Sequence, residues 1–298
     1  MSALDTYKEI VDCDGISKSE INAIRLAKKW KFDMSYASSR TFPTSDRCEE
    51  MKAAFAFPTE PLSREEETFP LAYGIVVHKN PMQVLYMLSA IYQPQNQYCI
   101  AVDCKASEIF KKKLTSITNC FGNMHVIYLS GGDLPLKTNL EMVRIFKALN
   151  GSFNSVVADY QSHRAGSPDK PSPVTLWKSS LSATFSRESA NFIVSSRTTS
   201  ELLQYLSKAF CPDEAIWTNL GGNVYQLPIP GGFNSWDMRQ KLEQVFGTVA
   251  YARGRTEFGL YQPEKYYISR FQIWSYGFMP CYGKHLRSSC CYGVRDVP

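Results

Sequence analysis

Residues 71–78 (LAYGIVVH) constrain this chain more than any other stretch. The run is short, apolar and β-branched, bounded by polar residues, and predicts a buried parallel strand. Pro81 suits the first turn of a following helix, in which Met82, Leu85, Leu88 and Tyr92 share one face before Pro94 ends it. Residues 98–102 (YCIAV) predict a second strand, 107–117 a second amphipathic helix and 124–129 a third strand. Strand and helix alternating in this way predict a βαβαβ unit with right-handed crossovers and a parallel sheet, so the fold class is α/β.

Beyond the third strand, Thr138 and Glu141 stand at capping-box spacing and open a helix that runs to Leu149 and stops at Gly151. Residues 159–173 form a polar loop with three prolines and one glycine. Ser186 and Thr199 mark two further helix starts, and Pro212 leads into a short helix over 213–220. A glycine- and proline-rich turn over 221–232 precedes a helix at Ser235–Phe246, and residues 266–274 read as a late strand. Residues 1–68 mix short amphipathic pieces, such as 21–30, with turn-forming and acidic stretches that end in SREEE. They read as a lead-in packed on one domain, residues 69–298. A chain of 298 residues can bury one good-sized core, which favours this arrangement over two small domains.

The 33 basic and 28 acidic residues are spread along the chain, and the one tight run, Lys111, Lys112 and Lys113, lies on a helix face. It reads as solvated surface, so no nucleic-acid partner is expected. No stretch reaches the roughly 18 to 20 apolar residues of a membrane-spanning helix, and residues 1–10 lack the apolar core of a signal peptide. Nine cysteines, at 13, 48, 99, 104, 120, 211, 281, 290 and 291, pull the other way, towards an oxidising compartment, and their odd number leaves a thiol without an internal partner. Asn150-Gly151-Ser152 is a glycosylation sequon.

Ligands of open parallel sheets bind beyond the carboxyl ends of the strands, which brings His78 and Asp103 forward. His78 can pack against a base and Asp103 can accept from a ribose hydroxyl or a uracil N–H; equally, both suit plain strand-end caps. The chain has no G-x-G-x-x-G, Walker loop, H-E-x-x-H or G-x-S-x-G, which argues against dinucleotide enzymes, P-loop enzymes, zincins and α/β-hydrolases. Four histidines leave little room for a histidine-rich metal site, and Asp12 with Asp14 lies ahead of the sheet, poorly placed for a metal at a diphosphate. Cys281, His285, Cys290 and Cys291 resemble a zinc set, but adjacent cysteines in one tight turn make awkward tetrahedral ligands, and a local Cys281–Cys290 bridge is the better reading. Asp213 and Glu214 follow a proline at a helix start, where free N–H groups stabilise acids, so they serve as a site or simply as a cap. Arg287 stands between two cysteines; a bridge there would aim its guanidinium at a phosphate, and without one it is an exposed loop charge.

Five blocks, in this order, carry a family resemblance: FPLAYGIVVHKN at 69–80, IYQPQNQYCIAVDCK at 91–105, SGGDLPLKTNLEMVR at 130–144, CPDEAIWTNL at 211–220 and CYGKHLRSSCCYGVRD at 281–296. Together they resemble the core-2/I-branching β-1,6-N-acetylglucosaminyltransferases and their xylosyltransferase relatives, over about residues 48–296. The resemblance implies a nucleotide-sugar-binding, Rossmann-like fold of the glycosyltransferase A type. The implied reaction is inverting, metal-independent transfer of N-acetylglucosamine from UDP-N-acetylglucosamine to a glycan, as in O-glycan core branching, with no cofactor. By motif position Glu214 would be the catalytic base, Val76, His78 and Asp103 would bind uridine, and Arg287 would neutralise the diphosphate. Trp274 and Tyr276, in RFQIWSY, would stack on the acceptor sugars, and Cys48 with Cys120 and Cys281 with Cys290 would form disulfides. A UDP-sugar donor and a glycan or glycoprotein acceptor would be the partners, in the Golgi membrane or lumen.

The sequence also departs from the family. Between CFGNMHVIYL and SGGD the family carries a further helical stretch on the scale of a whole βα crossover, missing here, and with it goes the partner of Cys99. The family's distal lysine, membrane anchor and recognisable acceptor-binding loop are not found either, so Arg287 is expected to meet the diphosphate alone. An active xylosyltransferase, or a catalytically degenerate relative that binds glycan or nucleotide, are the alternatives. The transferase reading requires the carboxylate at 214 and the guanidinium at 287 to face one cleft beyond the first strands.

Overall fold

The computed structural model describes residues 12, 14–15, 18, 20–27, 48–127, 136–165, 171–246, 266–270, 272, 284–286 and 289–291. The chain divides into two compact units, Met1–Ala148 with Cys281–Leu286 and Cys291–Pro298, and Leu149–Pro280 with Arg287–Cys290.

The first unit is built on a three-stranded parallel sheet in the order β1 (Ala72–Val77), β2 (Gln97–Val102) and β3 (Met124–Ile127). Ahead of it lie α1 (Ile21–Ala27), α2 (Cys48–Ala54) and the single turn α3 (Arg64–Glu67); α4 (Pro81–Ile91) and α5 (Glu108–Thr118) are the crossovers. The central strand carries Tyr98, Ile100 and Val102 fully buried, and the helices set Leu85, Leu88, Leu114 and Ile117 against it. Burying four such aliphatic side chains contributes about 1.5 to 3 kcal/mol each. The start signals work as their chemistry dictates. Asn80 adopts φ 56° and accepts the Gln83 N–H ahead of Pro81, and Ser107 accepts the Phe110 N–H. Part of the lead-in belongs to this core, because Met51, Phe55 and Phe57 pack in it and Cys48 is joined to Cys120 by a disulfide.

The acidic run before the sheet, read from sequence as turn-forming, is α3, with Ser63 as its cap. Its Glu66 is buried and accepts from Ser63 Oγ at 2.6 Å and from Asn139 Nδ2 at 2.9 Å; Asn139 Oδ1 in turn accepts from Asn96 Nδ2 at 2.8 Å. A buried carboxylate persists only when partnered in this way. Asn139 opens α6 (Asn139–Leu149), where the capping box forms: the Thr138 N–H donates to Glu141 Oε2 at 2.8 Å, and the Glu141 N–H to Thr138 Oγ1 at 3.3 Å. Beside this network the Tyr98 hydroxyl accepts the Gln93 N–H at 2.7 Å and donates to the Ile91 carbonyl at 2.9 Å. Burial pushes its pKa up to about 12. An acid with a raised folded pKa leaves stability flat below its unfolded value near 10 and lowers it as pH rises from there to 12, by at most about 1.4 kcal/mol per pH unit. Denaturant titrations between pH 8 and 12 check this, and the slope shrinks in Tyr98→Phe.

The second unit holds β4 (Ala158–Asp159) antiparallel to β5 (Trp177–Lys178), then α7 (Arg187–Ser195), α8 (Arg197–Leu206), α9 (Ile216–Gly221) and α10 (Ser235–Phe246). Leu202, Leu206, Leu220 and Leu227 make one core, and Val157, Trp177 and Leu242 another. Ser196 ends α7 by donating its N–H to the Phe192 carbonyl, and its side chain caps α8, so that helix starts at Arg197, two residues before the Thr199 expected from sequence. The short helix expected over 213–220 is split: a 3₁₀ turn at Pro212–Glu214 precedes α9. Gly231, at φ +70°, holds a position where a Cβ would overlap the Gly151 carbonyl.

The expected late strand over 266–274 is not formed in its described part. Side-chain clamps take the place of a ladder: Asn154 Nδ2 donates to the Tyr266 carbonyl at 2.8 Å, the Ile268 N–H donates to Asn154 Oδ1 at 3.0 Å, and the Tyr267 hydroxyl donates to the Ser182 carbonyl at 2.8 Å. Later in the chain come β6 (Lys284–Leu286) and β7 (Ser289–Cys291). Among the described residues no helix is long and apolar enough to cross a membrane.

Candidate functional site

In the first unit, β1 presents two different faces. Tyr73, Ile75 and Val77 turn towards the core, whereas Ala72, Gly74 and His78 are exposed, with Val76 half-buried between them. Alternation puts Gly74, Val76 and His78 on one side of the strand, and a Cβ at Gly74 would meet nothing within 4 Å. Val76 pairs in register with Ala101. His78 and Asp103 lie one step past the paired Val77 and Val102, so both sit at the carboxyl ends of neighbouring strands. The Asp103 N–H donates to the Val77 carbonyl at 2.9 Å, and its Oδ1 accepts the Lys105 N–H at 2.8 Å. Asp103 therefore does close the strand end, and its second carboxylate oxygen remains for another donor.

In the second unit, Glu214 is the last residue of the 3₁₀ turn that Pro212 opens after Cys211 at φ 53°. Its carbonyl accepts the Ser179 N–H at 2.6 Å, tying the turn to the residue after β5. The carboxylate is used asymmetrically. Oε2 accepts from Arg164 Nη1 at 2.7 Å and lies 3.7 Å from Lys178 Nζ, while Oε1 has no hydrogen-bond partner among the described residues. About a quarter of the Glu214 side chain is exposed, against 15% for Arg164. Arg164 is itself fixed, by Gln161 Oε1 at 2.6 Å and by the ring of Phe210, 5.8 Å from its guanidinium carbon. Such a carboxylate, one oxygen held and the other open, can take a proton from a hydroxyl brought against it.

No motif in the sequence marks Arg164 or Lys178 as a site residue. Arg164 lies 50 residues from Glu214 in a loop read only as polar, and Lys178 follows a buried tryptophan with nothing in its surroundings to mark it. Among the described residues no group of three or more His, Cys, Asp or Glu is gathered closely enough to hold an ion. Cys99 is a free thiol, as are Cys104 and Cys211. Arg287, Trp274, Tyr276 and Cys281 lie outside the described residues, as does the Cys290 side chain, so the juxtaposition of 214 with 287 and the Cys281–Cys290 bridge do as well.

The Core-2/I-Branching enzyme family profile matches residues 71–128 and 119–273, more than half of the chain. The two matched segments carry His78 with Asp103 and Glu214 respectively, and they overlap over 119–128, just ahead of the junction at 129–130 where the family's further crossover is missing. The chain is similar to beta-1,3-galactosyl-O-glycosyl-glycoprotein beta-1,6-N-acetylglucosaminyltransferase 3 of Rattus norvegicus, at 25% identity over 352 residues, covering 97% of this chain and 76% of that protein. To the Homo sapiens beta-1,3-galactosyl-O-glycosyl-glycoprotein beta-1,6-N-acetylglucosaminyltransferase it is 24% identical over 356 residues, covering 96% and 78%. To the Ovis aries transferase 3 it is 27% identical, covering 97% and 76%. Each aligned span is longer than the chain itself, so these relatives carry residues that this sequence lacks.

Proposed function

The chain belongs to the core-2/I-branching enzyme family, and on that premise we propose that it transfers N-acetylglucosamine from UDP-N-acetylglucosamine to a glycan hydroxyl, with inversion and without a metal. The observation that carries the reading is the Glu214 carboxylate, with Oε2 paired to Arg164 and Lys178 and Oε1 open. Glu214 acts as the base. Its Oε1 takes the proton of the acceptor hydroxyl as that oxygen bonds to the anomeric carbon, and the bond from that carbon to the diphosphate oxygen breaks. Val76, His78 and Asp103 bind the uridine, Arg287 meets the charge on the departing UDP, and Trp274 and Tyr276 hold the acceptor sugars. The parallel sheet is the nucleotide-binding half of a Rossmann-like, glycosyltransferase A-type fold lacking one crossover; the division of the family match into two segments, 71–128 and 119–273, supports that loss. Residues 1–68 are a lead-in to a domain over 69–298. Catalysis takes place in the Golgi lumen, on an O-glycan acceptor.

Incubation with radiolabelled UDP-N-acetylglucosamine, UDP-xylose and UDP-galactose in excess EDTA, with core 1 O-glycan as acceptor, tests the reading. The expected result is transfer from the first donor alone, undiminished by the chelator. Transfer from UDP-xylose instead assigns the xylosyltransferase alternative, and dependence on a divalent ion overturns the metal-free mechanism. The residues that relatives carry and this chain lacks favour a second reading, a binding protein that has lost turnover. In that case UDP binds in a calorimeter while none of the three donors gives product.

A further inference from the structure

We propose that Asn150 is a glycosylation site, carrying an asparagine-linked oligosaccharide. Asn150-Gly151-Ser152 is the one Asn-x-Ser/Thr tripeptide in the whole sequence, and on sequence alone such a tripeptide carries little weight. The structure adds what the sequence lacks. All three residues are exposed. Asn150 at φ 47° and Gly151 at φ 79° are successive left-handed residues just beyond α6, and the Ser152 N–H closes the turn on the Leu149 carbonyl at 2.9 Å. The amide of Asn150 and the hydroxyl of Ser152 make no hydrogen bond among the described residues, so modification removes no contact. The next residue anchors the turn from within, since Phe153 is buried and its N–H donates to the Gly231 carbonyl at 2.8 Å. A glycan on Asn150 therefore grows from a fixed, solvent-facing turn and displaces no packed side chain.

The second, independent observation is the Cys48–Cys120 disulfide. Such bridges form and persist in oxidising compartments, the same lumen in which oligosaccharides are added to asparagine. The step takes a polyprenyl-diphosphate-linked oligosaccharide as co-substrate. Asn150 Nδ2 bonds to the anomeric carbon, that carbon's bond to the diphosphate oxygen breaks, and the amide proton passes to a base of the transferring enzyme as the lipid diphosphate leaves. The inference rests on the sequon's geometry and the bridge, and stands apart from the proposed sugar-transfer activity of the chain itself.

The test is expression of the full chain through the secretory pathway of cultured eukaryotic cells, followed by digestion with peptide N-glycosidase F. The expected result is one discrete downward step in mass on gels and by intact-mass spectrometry. Asn150→Gln and Ser152→Ala lose the step, and Ser152→Thr, which preserves the sequon, retains it. These are mass readings, so they decide the matter even for a variant that folds poorly. A wild-type chain whose mass the enzyme leaves unchanged overturns the proposal. Mapping Cys48–Cys120 on the same sample then tells why: with the bridge present the turn is not a substrate, and without it the compartment was misassigned. Donor assays on Asn150→Gln, expected to match wild type, keep this outcome distinct from any failure of the transferase reading.

Discussion

With Glu214 as the proposed base, Glu214→Gln is expected to slow sugar transfer by about 10²- to 10⁴-fold, the range lost when a positioned general base is removed. Glutamine keeps the shape of the side chain and an oxygen for Arg164 Nη1, so the turn at Pro212–Glu214 and its tie to Ser179 persist while proton acceptance is lost. The loss is expected to fall on kcat with the donor KM little changed, because the proposed base acts on the acceptor hydroxyl as the transition state forms. Initial rates at saturating donor, alongside an unaltered thermal transition, supply the check. A variant within tenfold of wild type removes Glu214 from the chemistry. Arg164→Ala provides the companion measurement: it leaves the carboxylate in place, frees Oε2, and lowers kcat less than Glu214→Gln does. An equal or larger loss would mean that the guanidinium, and not the carboxylate, governs the step.

The second large effect is on stability. Cys48 and Cys120 close a loop with a sequence separation of 72, and in the chain-entropy account a loop of that length restrains the unfolded state by about 4 kcal/mol. Replacing both cysteines by serine, which leaves no stray thiol, should lower the unfolding free energy by about that amount in urea titration, and reduction of the wild-type chain should reproduce the shift. The bridge ties α2 to the second residue after α5, so its loss also loosens Met51, Phe55 and Phe57 in the core. A change below about 1 kcal/mol would show that burial alone holds the first helices in place.

What could be read in advance follows the range of the interaction concerned. Strand and helix over 71–127 came from hydrophobic periodicity, the capping box at Thr138 from residues three apart, and the helix start at Ser186 from its residue type. All these signals are contained within one element. The reading failed where a longer reach decided the outcome. Residues 266–270 look like strand, yet Asn154, more than a hundred residues earlier, takes up their backbone groups with its side chain. The run 64–67 looks like acidic loop, yet Glu66 is drawn into the core by Asn139, 73 residues later. Ser196 serves two helices at once, which moved one start by two residues.

The same division runs through the site. By itself the sequence determined the parallel βαβαβ order, the placing of His78 and Asp103 at strand ends, and the family, because each is carried by short blocks in chain order. The tertiary structure alone decided that Arg164 and Lys178 converge on one oxygen of the Glu214 carboxylate and leave the other open. No local pattern encodes such a pairing: it arises only when the 3₁₀ turn at Ser162–Arg164, a two-residue strand and the 3₁₀ turn at Pro212–Glu214 are packed side by side.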